Sequence, residues 1–127
     1  MNLSAAISLY AGGIGSGCQG PNCGRHFHGT TPEDGMKIWK QGFKKGGYTS
    51  KQKSWGHAYG DAISQDRKAD GYAVVEMEAP NSEMFKADPE HSDDDEAFYT
   101  TQDIPKENIR SIEVYRGGKM IQRGVRK

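Results

Sequence analysis

The sequence predicts an α+β domain in which two helices come early and antiparallel strands fill most of the remaining chain. Three observations predict it. Helical signals cover about 32–41 and 54–66, and the chain beyond them is rich in strand-forming runs. Only 34% of residues are hydrophobic and 17 are Gly, which suits small sheets with long loops. No Gly-x-Gly-x-x-Gly comes after a strand, so a parallel Rossmann sheet is not expected, and a nucleotide would be held another way. The 127 residues fit one domain with a modest core. The 17 basic and 17 acidic side chains cancel, so no overall field draws the chain to nucleic acid or a membrane.

Residues 1–24 read as a Gly-rich linker or junction, and 25–127 as the folded domain. Leu3 to Tyr10 is apolar but short, with no Lys or Arg before it, which argues against a signal peptide and against a spanning helix. Ala11 to Gly24 is mostly Gly, Ser and Cys. The spacing of Cys18 and Cys23 permits a local disulfide or half a metal site, and free thiols in a loop are the expected state. His28 and Gly29 fall where a first strand ends. Thr31 can N-cap a helix over 32–41, Pro32 suits its first position, and Glu33 and Asp34 favour its dipole. Met36, Ile38 and Trp39 mark its apolar face and Gly42 its stop. Phe43 packs back, Lys44 to Gly47 turn, and Tyr48 to Ser50 extend. In the second helix Ala58, Ala62 and Ile63 give a narrow buried stripe, with Tyr59 at its edge. Tyr72 to Glu78 is the strongest strand, and Pro80 ends it. Residues 81–95 form an acidic loop. Strands at 97–101 and 109–115 come next, and Gly117-Gly118 turns the chain into Met120-Ile121.

Several residues carry chemistry. With no Cβ, Gly29 lets a flat ligand approach the main chain, and His28 beside it can bond a ribose. Tyr48 and Tyr59 lie eleven residues apart and can sandwich a flat heterocycle, each face adding on the order of 0.5–1.5 kcal/mol beyond burial. Asp93, Asp94 and Asp95 read as a solvated run. Glu96 differs, because it opens the strand Ala97-Phe98-Tyr99, and a carboxylate fixed there can stabilise positive charge on a ribose carbon. His26, His57 and His91 form no ligand-like cluster, and no metal is expected. His57 is expected at the surface.

Phe27-His28-Gly29-Thr30, the Tyr48/Tyr59 pair, and Asp95-Glu96-Ala97-Phe98-Tyr99 with Ile104-Pro105 behind it occur in order over residues 27 to about 115. With them the chain resembles the His-Tyr-Glu branch of the ADP-ribosyltransferase superfamily, which includes diphtheria-toxin-type toxins and poly(ADP-ribose) polymerase catalytic domains. Its small size and linker-like start resemble a bacterial polymorphic-toxin (Rhs-type) C-terminal domain. The resemblance implies a split β-sandwich of antiparallel sheets with NAD+ in the cleft between them. It implies that Gly29 clamps the nicotinamide carboxamide, that His28 bonds a ribose hydroxyl with Thr30 assisting, and that Tyr48 and Tyr59 stack the ring. Glu96 would hold the 2′-hydroxyl of the nicotinamide ribose and serve, with His28, as the catalytic pair. Glu76 and Glu78 resemble the Arg-Ser-Glu branch of the same superfamily only in their Glu-x-Glu spacing, and read as the solvent face of a strand. Arg25-His26 invites comparison with the RNA 2′-phosphotransferase relatives, and Glu96 argues against it.

The implied activity is transfer of ADP-ribose to a macromolecule, protein or structured RNA, by a monomeric effector delivered into the cytoplasm of a target cell. A cognate immunity protein would cover the cleft. NAD+ hydrolysis at the same site is one alternative, and an inactive fold kept as a binding module is another. Lys37, Lys40, Lys44, Lys45, Lys51 and Lys53, with the basic C-terminus, would let structured RNA or DNA dock if they share a face. The acidic 88–95 loop favours a basic protein surface instead.

Overall fold

The computed structural model describes Cys18, Gly20, residues 22–89 and residues 97–126. It is an α+β structure with the order β1 (Arg25–Thr30), α1 (Pro32–Gln41), β2 (Tyr48–Ser50), α2 (Lys53–Asp66), β3 (Tyr72–Glu78), β4 (Phe85–Ala87), β5 (Ala97–Thr100), β6 (Ile109–Arg116) and β7 (Lys119–Val125). The strands form one seven-stranded sheet in the order β4-β5-β2-β1-β3-β6-β7. Every ladder is antiparallel. Among the described residues no helix is long and apolar enough to cross a membrane. Glu96, His91 and Asp93 to Asp95, together with the Leu3 to Tyr10 stretch, lie outside the described residues.

Among the described residues the two α-helices pack on opposite faces of the sheet. Successive side chains on a strand alternate in direction, and β3 sorts them. Ala73, Val75 and Met77 join the main core with Phe43, Phe85, Phe98, Ile104, Ile109, Ile112 and Val114, and Met36, Ile38 and Trp39 of α1 pack against it. Val74 and Tyr72 point the other way, toward Gly56 and Gly60 of α2. Helix α2 lies over β1 because it joins β2 to β3, the two strands that flank β1.

Helix α1 starts and stops where its signals place it. The Thr31 side chain accepts from the Asp34 N–H, and Gly42 closes the helix at φ 97°. Such a φ favours glycine. Helix α2 departs from expectation. Ala58 and Ala62 are not among its buried positions, which are Gly56, Gly60 and Ser64. This face meets the backbone of β1, where there is room for almost no side chain. Strand β1 runs on through Gly29 and Thr30, which pair with Val74 and Ala73, so the strand does not end at His28. The acidic loop contains β4, which pairs with β5. Cys18 and Cys23 are not free thiols: they form a disulfide with Cα atoms 5.7 Å apart. The pairing ties Cys18 against the core cluster beside buried Cys23.

His26 is a core residue. It is fully buried and stacks on Phe85 with ring centroids 3.8 Å apart. Its Nε2–H donates to the Asn22 carbonyl at 2.9 Å, and its Nδ1 accepts from the Thr49 hydroxyl at 2.9 Å. Burial lowers its pKa from 6.5 to about 4, the Asn22 bond opposing and the Lys51 charge adding. The folded value lies below the unfolded one, so acid protonates the unfolded chain first. Stability from His26 is complete above pH 6.5 and is lost as pH falls toward 4, a difference of about 3 kcal/mol. Burial also lowers His28 and His57, with the same sign. Urea unfolding at about pH 7, 5.5 and 4.5 should show falling midpoints across that window. A flat profile would remove His26 from the balance.

Candidate functional site

Strands β1 and β2 are neighbours that barely touch. A single residue pair, Phe27 with Ser50, joins them. Past that pair β1 continues on β3, and β2 continues on β5 through Tyr48 with Tyr99. The sheet therefore opens between His28-Gly29 and Tyr48. A cleft of about 290 Å³ fills the opening under α2. His28, Gly29, Tyr48 and Tyr59 all line it, with Trp55 and Phe98 as further aromatic walls. Four of the residues singled out by sequence thus come together. Thr30 does not line it: it is buried and faces a neighbouring groove on the α1 side.

His28 spans the opening. Its Nδ1–H donates to the Tyr48 carbonyl at 2.7 Å, and its ring leans on Phe43 with centroids 4.7 Å apart. The side chain bridges where the backbone ladder has stopped. Burial pushes the imidazole below its ordinary value, with the Tyr48 bond and the Asp34 carboxylate pulling back up. A neutral ring that donates through Nδ1 presents Nε2 as an acceptor. It suits a ligand hydroxyl.

Gly29 has a different neighbour from the one expected. A Cβ at Gly29 would lie 1.9 Å from the Gly56 carbonyl oxygen and 2.4 Å from the Gly60 nitrogen. Helix α2, not a ligand, presses on that side. The absent side chain sets how closely the helix seats over the cleft. Tyr48 is 61% exposed and Tyr59 48% exposed, so each ring lines the cleft with one side still open to solvent. Tyr59 contacts Trp55 with centroids 6.1 Å apart. Both tyrosine rings can meet a flat ligand.

Sequence reasoning missed Asp88 and Trp55. Asp88 is 6% exposed and lines the cleft. Its N–H donates to the Ala97 carbonyl at 2.9 Å, which fixes it beside the residue after Glu96. In the sequence it blends into the acidic run behind it, and its one signal is its place directly after Phe85-Lys86-Ala87. Trp55 escapes a search of α2 for a stripe of small residues.

His57 does not line the cleft and is partly exposed. It is half-buried, bonds the Tyr72 hydroxyl at 2.9 Å, and meets Tyr115 edge-on. Glu76 pairs with Arg25 at 2.9 Å and accepts from the Ser111 hydroxyl. Glu76 and Glu78 lie on the face of β3 turned away from the main core, in ion pairs with Arg25 and Arg110, with the Glu78 side chain still 39% exposed, and neither lines the cleft.

Most of the basic residues have structural duties. Lys53 and Arg123 hold buried Glu113, Arg116 meets Asp70, and Arg126 lies over Trp39. Lys51 donates to the Cys23 carbonyl. Lys37, which also meets Asp34 at 4.0 Å, lines the α1-side groove with Lys44 and Lys45, and that groove shares His28 with the cleft. Compared with protein-family models and with curated proteins the chain finds no match, and the chemistry of the cleft rests on its own residues.

Proposed function

We propose that the chain is an NAD+-dependent ADP-ribosyltransferase of the His-Tyr-Glu kind, a bacterial toxin effector that modifies a macromolecule and releases nicotinamide. One observation carries the reading: His28, Gly29, Tyr48 and Tyr59 converge on one cleft, at the place where the sheet opens. The strands form one continuous seven-stranded sheet, and the pair of sheets that the resemblance implies would divide at that opening. Nicotinamide would lie against Tyr48 and Tyr59, with its carboxamide at the edge of β1 that β2 leaves unpaired past Phe27. The His28 Nε2 would accept from a ribose hydroxyl.

Glu96 would hold the 2′-hydroxyl of the nicotinamide ribose. As the bond from C1′ to the ring nitrogen breaks, its electron pair goes to nicotinamide. Positive charge develops on the ribose, and Glu96 stabilises it as carboxylates do in glycoside chemistry. The acceptor nucleophile then bonds C1′ and gives up its proton. The acceptor is a protein or a structured RNA. A cognate immunity protein would cover the cleft, and adding it would stop nicotinamide release.

Purified protein should release fluorescence from etheno-NAD. Incubation of labelled NAD+ with cell lysate should leave label on macromolecules. Fluorescence release without labelling would replace transfer by NAD+ hydrolysis. Neither signal would leave a binding module.

The stacking walls give a sharper test. Tyr48→Ala and Tyr59→Ala should each weaken NAD+ binding several-fold, the equivalent of about 0.5–1.5 kcal/mol per lost ring face. Phe at either position should bind nearly as well as Tyr, because stacking needs only the ring. Titration calorimetry reads the difference, and equal losses for Phe and Ala would discard the sandwich.

A further inference from the structure

We infer that the cleft is a recognition site for a flat organic cation, and that Asp88 sets its charge preference. The oxidised dinucleotide, whose nicotinamide is an N-alkylated pyridinium, is then selected over its reduced form, whose ring is uncharged. This inference rests on the reading of the cleft as the NAD+ site and names what that site discriminates.

The lining carries the argument. Phe27, Tyr48, Trp55 and Tyr59 border the cleft with their rings, and Phe98 lies deeper. Ring faces are electron-rich and attract cations within about 6 Å of the centroid. Asp88 is the one acidic residue among the described residues of the wall, and no Lys or Arg is among them. The remaining wall is mostly apolar and Asp88 is itself buried, so water screens its carboxylate less than it would at an exposed position. Asp88 already takes part in a contact of its own, but a carboxylate offers about four lone-pair positions.

An aromatic wall with one buried carboxylate favours a planar cation over the same ring uncharged. The division of labour comes from where the charge travels. Bond cleavage moves positive charge from the ring to the ribose, and the ring leaves neutral. Asp88 therefore bears on which molecule binds and on how readily the product departs. Rate acceleration belongs to the carboxylate at the ribose.

Two probes isolate the charge: N1-methylnicotinamide, a cation, and nicotinamide, neutral, which share ring and carboxamide. Ligand-observed NMR titration into the wild-type chain should show the cation bound on the order of tenfold tighter, equivalent to ~1.4 kcal/mol. Asp88→Asn keeps the backbone bond to Ala97 and should bring the two probes to within about twofold. In turnover, that variant should raise KM for NAD+ and leave kcat nearly unchanged. Equal binding of both probes by the wild type overturns the inference without need of any variant, as does an undiminished preference in Asp88→Asn. NAD+ cleavage without cation preference sinks this inference alone. Cation preference without NAD+ cleavage supports the site and sinks the transferase.

Discussion

Gly29→Ala should cost the protein about 3 kcal/mol or more of stability, a large share of what a domain of this size has. The added methyl would meet the Gly56 carbonyl oxygen at 1.9 Å and the Gly60 nitrogen at 2.4 Å. Both are backbone atoms, so no rotamer change relieves the clash, and α2 as a whole must lift off β1. Tyr59 and Trp55 ride on α2 and line the cleft, so any folded fraction should also bind NAD+ poorly. The comparison is Gly56→Ala, whose Cβ would meet only side-chain carbons, at 3.1 Å from Val74 and 3.3 Å from Phe27. It should be milder. Urea denaturation of the two variants measures both effects, and a wild-type midpoint for Gly29→Ala would show that α2 does not seat as described.

Glu96→Gln should lower ADP-ribose transfer by on the order of 10²-fold or more, the range lost when one preorganised electrostatic group is removed. The substitution keeps shape and removes charge, so the unfolding midpoint and NAD+ affinity should stay close to wild type. Turnover of etheno-NAD and labelling of lysate should fall together. Near-normal labelling by the variant would take Glu96 out of the mechanism. The paired Asp88→Asn measurement tests the proposed division between the two carboxylates, with Glu96→Gln expected to change rate and Asp88→Asn to change binding.

Helix α1 is legible in the sequence because its ends carry their own chemistry. Thr31, Pro32 and Gly42 are local signals that need no tertiary partner, and the helix runs Pro32–Gln41 as they specify. The strands Tyr72–Glu78 and Ile109–Arg116 are legible for a similar reason, since half or more of their residues are apolar or aromatic. The buried face of α2 is not. A search for apolar periodicity selects Ala58 and Ala62, whereas the contact with Gly29 selects residues with almost no side chain, Gly56, Gly60 and Ser64. The disulfide is hidden because a five-residue separation fits paired and unpaired cysteines equally. Of the site, His28, Gly29, Tyr48 and Tyr59 are found by motif and spacing. Asp88 is not, because its burial depends on β4 pairing with β5, a three-residue strand with no periodicity of its own.

The strand order also governs how the chain reaches this state. Among the described residues, β6 and β7 form a tight hairpin, turned by Gly117 and Gly118. Strand β1 must wait for β3, where Arg25 meets Glu78, and β2 must wait for β5, where Tyr48 meets Tyr99. Loop-closure entropy precedes the gain from each of these distant pairings, so folding belongs on the slow, millisecond-to-second side of the range for small domains. The walls of the cleft come from β1, β2, α2 and β5, which meet only after those pairings close. A ribosome releases the chain from its N-terminus, so His28 and Tyr48 emerge long before their surroundings exist. The cleft is among the last things the molecule completes, and until then its lining residues share no common wall.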